Sequence, residues 1–202
     1  MSIIPIKDNP PSRFPNYSIL ESDATWWVAK VKSRQEKALA WELHSMQIEY
    51  YLPLYTNVTR RKDNGKKRTS LLPLFSSYLP IAIQKSDIWR VQSSNHVHSI
   101  ITVQNQIKFR EELNRVFIAD KMNISIIPAD NLIDLPGKEI EIVSGPFNGL
   151  RGTVQTTNGT ERIRVSVENL GVISISMESI QEVKSAESLD HKITFAYAAG
   201  HL

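Results

Sequence analysis

A chain of 202 residues, 41% hydrophobic and 22% charged, can bury one ordinary core or two small ones. The absence of cysteine excludes a disulfide framework, a thiol nucleophile and any Cys-ligated zinc or iron–sulfur site, and fits a reducing compartment. The formal net charge of +3 hides a division: residues 1–24 hold 2 basic and 3 acidic side chains, residues 25–125 hold 16 and 8, and residues 126–202 hold 6 and 10. Segment charges of −1, +8 and −4 predict two domains with different partners, the first suited to a polyanion, with uneven solvation as the plain alternative.

The opening residues contain Pro5, Pro10, Pro11 and Pro15 and no apolar run of signal-peptide length. Nothing later approaches the roughly 18 apolar residues of a membrane span, so the expectation is a cytoplasmic protein with no membrane partner. Residues 1–24 lack hydrophobic periodicity and read as a flexible extension, with folding starting near Thr25. Trp26 to Val31 predict a strand, and Ser33 with Glu36 has the spacing of a capping box that opens a helix. Leu39, Leu43 and Met46, widened by Ala38 and Trp41, give that helix a core-facing stripe.

Tyr50 to Val58 predict a second strand, and Asp63, Asn64 and Gly65 a tight hairpin turn. The return strand, about Arg68 to Ile83, contains Pro73 and Pro80 and is expected to be an edge, bulged or broken one. A short strand region follows between Trp89 and Val103. Phe109, Leu113, Val116 and Phe117 then place one face of a helix from about Gln106 to Ala119 on a core. The expected first domain, 25–122, is therefore α+β, an antiparallel sheet with helices, and 123–135 is its linker.

Six of the eight glycines lie between Gly137 and Gly171, where no helical stripe occurs. Lys138 to Val143, Gly149 to Val154, the Asn158-Gly159 hairpin signal, the alternation of Ile163, Val165 and Val167, and Ile173 to Met177 predict about five short strands. A small all-β barrel over 136–184 suits this pattern, followed by a tail over 185–202 to which Ile193, Phe195 and Tyr197 can add an edge strand. Gly152, Gly159 and Gly171 would each weaken a helix by about 1 kcal/mol, so β structure is expected there in the free protein.

Catalytic chemistry finds no constellation. Gly145, Gly149 and Gly152 precede no helix and make no phosphate loop; His96 and His98 read as surface histidines, and Glu111 and Glu112 point to different sides of a helix. No catalytic residue, cofactor or metal site is expected, and the protein is read as no enzyme. The basic cluster Arg60, Arg61, Lys62, Lys66, Lys67 and Arg68 flanks the predicted hairpin turn. Such a tip can contact several phosphates in a salt-sensitive way without base specificity; a solvated tip is the bland alternative.

The order of elements over residues 25–183 resembles the NusG-type transcription elongation factors. Pro136-Gly137-Lys138-Glu139-Ile140, with Val143-Ser144-Gly145-Pro146-Phe147-Asn148-Gly149-Leu150-Arg151-Gly152-Thr153-Val154, resembles the KOW motif that opens their small SH3-like barrel. Trp26-Trp27-Val28-Ala29 with Glu36 and Ala38 is similar to the opening of their N-terminal domain. Pro73-Leu74-Phe75-Ser76-Ser77-Tyr78-Leu79 resembles the central signature, with Ser76-Ser77 where the family usually has Pro followed by Gly or Asn. The basic lead-in Gly65 to Thr69 and these departures look most like the specialised, operon-directed paralogues of the RfaH and UpxY type.

The resemblance implies an N-terminal domain seated on the clamp helices of the RNA polymerase β′ subunit, across the DNA cleft, suppressing pausing. Phe75 matches the clamp-facing position, with Trp27 and Tyr78 as neighbouring candidates, and burial in the core is the plain alternative for all three. The KOW domain is implied to bind a small-subunit ribosomal protein or a termination factor through Phe147, Leu150 and Leu170, an apolar triad expected at loop tips. A monomer is expected. The alternative is a ribosome-associated protein that uses its KOW barrel on RNA, against which the acidic second domain argues.

Overall fold

The computed structural model describes residues 9–60, 65–129, 137–157, 160–180 and 182–185. The chain divides into two compact units, residues 1–114 with 168–170 and residues 115–167 with 171–202.

In the first unit β1 (Arg13–Phe14), β2 (Trp26–Val31), α1 (Glu36–Ser45) and β3 (Glu49–Tyr51) precede the hairpin β4 (Leu54–Arg60) and β5 (Lys67–Pro73). They are followed by β6 (Tyr78–Ala82), the short α2 (Ile88–Gln92), β7 (Val97–Thr102) and the start of α3 (Gln106–Lys121), whose residues from 115 onward belong to the second unit. Five strands form one antiparallel sheet in the order β1-β3-β6-β2-β7, while β4 and β5 pair only with each other. Ala29 and Val31 of β2 join Leu79 and Ile81 of β6 and Leu39, Ala40 and Leu43 of α1 in one buried cluster. On the other face of β2, Trp26 meets Phe109 of α3 with ring centroids 6.4 Å apart. A sheet covered on both faces explains why β2 reads as a nearly continuous apolar run.

Several local expectations are corrected. No capping box forms: α1 starts after Gln35, whose side chain makes no cap hydrogen bond, and Glu36 is turned inward. The stripe of α1 runs through Leu39, Ala40 and Leu43, and Trp41 lies outside it, 39% exposed. The return strand, expected to be an edge, bulged or broken one, is broken into β5 and β6, and Pro80 sits in the interior strand β6. It is tolerated because the β3 register covers only Ile81 and Ala82. The bonds Ile83 N–H to Thr25 O and Val31 N–H to Ser77 O put the odd-numbered residues of β6 in bonding register with β2, so the missing donor of Pro80 falls on the vacant side.

The expected flexible extension is packed from residue 9 onward. The guanidinium of Arg13, 3% exposed, ion-pairs with Glu49 and donates to Tyr50 O at 3.0 Å, and β1 adds to the sheet beside β3. Tyr17 Oη and Ser22 Oγ donate to the other Glu49 oxygen at 3.1 and 2.8 Å, and Ile19 is fully buried. Burial and the Glu49 charge both push the Tyr17 phenol pKa up.

The second unit contains β8 (Ile126–Pro128), β9 (Lys138–Ile142), β10 (Arg151–Thr157), β11 (Thr160–Val167), β12 (Gly171–Ser176) and β13 (Val183–Ser185). They form one antiparallel sheet in the order β13-β9-β10-β11-β12-β8. Alternation on β11 buries Ile163, Val165 and Val167, and Ile173 and Ile175 oppose Val165 and Ile163 from β12. Gly152 is needed for close approach: a Cβ there would lie 2.3 Å from Arg164 O. Gly145 and Gly149 take φ of +71° and +81° in the KOW turn, which closes through Gly149 N–H to Ile142 O at 2.8 Å.

The fold class is thus α+β with antiparallel sheet and helices, followed by a small all-β unit, as expected. Strand β8 lies inside the expected 123–135 linker and pairs with β12, so part of that stretch belongs to the second sheet. Asn158-Gly159 and the tail beyond Ser185 lie outside the described residues, although the β10–β11 ladder runs to its last pair, Thr157 and Thr160.

Candidate nucleic-acid interface

The basic cluster stands on the β4–β5 arm. Seven pairs in register, from Leu54 with Pro73 to Arg60 with Lys67, extend it about 20 Å at ~3.4 Å per residue. Arg60, Lys66, Lys67 and Arg68 are exposed; Arg61 and Lys62, with Asp63 and Asn64 of the expected turn, lie outside the described residues. Register divides these cations. Arg60 and Lys67 are direct partners on one face, whereas Arg68 pairs with Thr59 and belongs to the other.

The root of the arm is held by Lys37 of α1, whose ammonium donates to Leu71 O and to Asn9 Oδ1, both at 2.6 Å. Partial burial lowers its pKa. Leu74 N–H donates to Pro53 O at 2.8 Å and closes the base. Neither Lys37 nor Asn9 carried a sequence signal, because a single long side chain reaching a backbone carbonyl has no periodicity.

The turn from β5 to β6 holds the aromatic signature. Phe75 is 4% exposed, Trp27 and Tyr78 are half-buried, and Tyr78 N–H donates to Phe75 O at 3.2 Å. Trp27 pairs with Ile81 and Lys30 with Tyr78 along the same ladder, three positions apart. Because side chains alternate across a strand, Trp27 and Tyr78 fall on opposite faces of the sheet, and the three candidates do not gather on one surface. Trp27 packs against the α1 cluster, and its Nε1–H donates to Ile83 O at 3.1 Å. Ser77 takes φ +65°, the left-handed region that Gly or Asn enters most easily, and its N–H donates to Glu36 Oε1 at 2.7 Å.

Phe147, Leu150 and Leu170 are 0%, 6% and 4% exposed. The expectation of an apolar triad standing free at loop tips therefore does not hold in this structure. The turn that holds Phe147 folds back on β9, with Leu150 N–H donating to Phe147 O at 3.0 Å and Ile142 N–H to Leu150 O at 2.9 Å.

Residues 24–117 match the family model NusG, described as "Transcription termination factor nusG". No match was found among curated proteins. Among solved structures, "Domain interaction in Thermotoga maritima NusG" aligns at 13% identity with a TM-score of 0.46, covering 81% of this chain and 98% of that one. "Crystal Structure of MjSpt4:Spt5 complex conformation B" aligns at 19% identity with a TM-score of 0.26, covering 80% and 96%. Residues 24–117, the stretch from β2 into α3, are thus what is similar to the NusG family.

Proposed function

We propose that this chain is a bacterial transcription elongation and antitermination factor that binds RNA polymerase through its N-terminal domain. The observation that carries the reading is the NusG family match over 24–117, which coincides with the α+β unit bearing the basic arm and the Phe75 turn. On this reading Trp27, Phe75 and Tyr78 serve the polymerase clamp helices, and Phe75, being buried, must become exposed on binding. Arg60, Arg61, Lys62, Lys66, Lys67 and Arg68 serve DNA in the elongation complex.

The KOW unit serves a ribosomal or termination partner through Phe147, Leu150 and Leu170, which likewise must be uncovered to make contact. An operon-specific role is supported by the basic hairpin and by Ser76-Ser77 at the signature turn. In single-round transcription on a template with a defined pause, the full chain shortens the pause. An unaltered pause lifetime at saturating protein contradicts the reading.

A further inference from the structure

Exposure alternates with register along the lower part of the arm. On one face Thr56, Val58, Arg60, Lys67, Thr69 and Leu71 are all exposed, whereas on the other Tyr55, Asn57, Ser70 and Leu72 are half-buried and only the Thr59–Arg68 pair near the tip is exposed. The outward face is graded. Its tip carries the Arg60–Lys67 pair, while Val58 and Leu71, 56% and 40% exposed, are diagonal neighbours behind it. The same face therefore presents two aliphatic side chains beside two cations and two threonines.

We propose that this face enters the major groove of B-form DNA as a two-stranded ribbon, with Arg60 and Lys67 on phosphates and Val58 and Leu71 against thymine methyl groups. The proposal rests on the nucleic-acid reading of the arm and gives it a form of duplex and a face. The major groove of B-form DNA admits a two-stranded ribbon and displays the thymine methyl, whereas the deep, narrow major groove of A-form RNA admits no side chains. The exposed stretch of this face lacks Asn, Gln, Asp and Glu, so it can favour thymine-rich duplex without reading a unique sequence.

The test measures binding of the full chain to one 20-base-pair duplex made with thymine, with deoxyuridine in its place, and as RNA. Thymine duplex is expected to bind best, with about a fourfold loss for each contacted methyl removed. Val58→Ser with Leu71→Ser is expected to bring thymine duplex down to the uracil level. Arg60→Ala with Lys67→Ala is expected to reduce the salt slope by about 2 while preserving the thymine-to-uracil ratio. All four positions are exposed, and circular dichroism of each variant confirms the fold. Equal affinity for thymine and uracil duplexes, or tighter binding to the RNA duplex, overturns the groove proposal and leaves the nucleic-acid reading standing. An unchanged salt slope both in Arg60→Ala/Lys67→Ala and in the triple alanine variant at Lys66, Lys67 and Arg68 overturns that reading as well.

Discussion

The Ser77 N–H donates to the Glu36 carboxylate at 2.7 Å and ties the turn between β5 and β6 to the first turn of α1. Glu36 is 6% exposed, so this bond is made largely out of water, and the carboxylate also stands at the favourable, positive end of the helix. Ser77 meanwhile sits at φ +65°. Glu36→Ala is expected to cost about 1–3 kcal/mol by leaving a backbone donor unpaired, and Glu36→Gln less, because it keeps an acceptor. Ser77→Gly is expected to stabilise by about 0.5–1 kcal/mol, since glycine relieves the left-handed strain at some entropic cost. Chemical denaturation of the three variants checks both signs, and a neutral Glu36→Ala contradicts the account.

The buried Arg13–Glu49 pair makes the N-terminal segment part of the first unit. Removing one partner leaves an uncompensated charge, so Glu49→Ala is expected to lose about 3–5 kcal/mol, and with it the bonds from Tyr17 and Ser22. Removal of residues 1–24 is expected to lower the melting temperature for the same reason. An unchanged melting temperature after that truncation contradicts the packing described here.

What was legible in the sequence was whatever repeats. Ile163, Val165 and Val167 alternate and are buried in turn, and Phe109, Leu113, Val116 and Phe117 recur at helical spacing and are all buried. The hairpin was legible because strand-forming residues flank Asp63-Asn64-Gly65. What escaped depends on single contacts between distant residues. Arg13 anchors a two-residue strand too short to show a period, and Glu36, at capping-box spacing from Ser33, bonds instead to a residue 41 positions away. Exposure at the candidate sites escaped for another reason: a motif names residue types, but whether Phe75 or Phe147 faces solvent is decided by tertiary packing.

Tyr50 gives a prediction about pH. Burial pushes its phenol pKa up to about 12 from 10.0, so the folded state holds its proton more tightly than the unfolded chain. That contribution to stability is complete below pH 10 and is lost as pH rises from about 10 to 12. Its hydroxyl has no hydrogen-bond partner among the described residues, so Tyr50→Phe is expected to be neutral or slightly stabilising near pH 7. Above pH 10 wild type is expected to fall relative to Tyr50→Phe. Parallel stability curves across pH 9–12 contradict this.

Phe75, at 4% exposure, is expected to behave first as a core residue. Phe75→Ala should cost about 3–5 kcal/mol, read as a lowered melting temperature, whereas a surface anchor would leave the melt nearly unchanged. A normal melt would show that Phe75 is not part of the packed core.

The central proposal, that the domain holding residues 24–117 binds RNA polymerase, is tested most directly by titrating the labelled full chain with core bacterial polymerase on a nucleic-acid scaffold. Saturable one-to-one binding is predicted, with affinity and salt slope both reduced in the triple alanine variant at Lys66, Lys67 and Arg68. Absence of saturable binding to core polymerase, with the protein shown to be folded under the same conditions, would contradict the account.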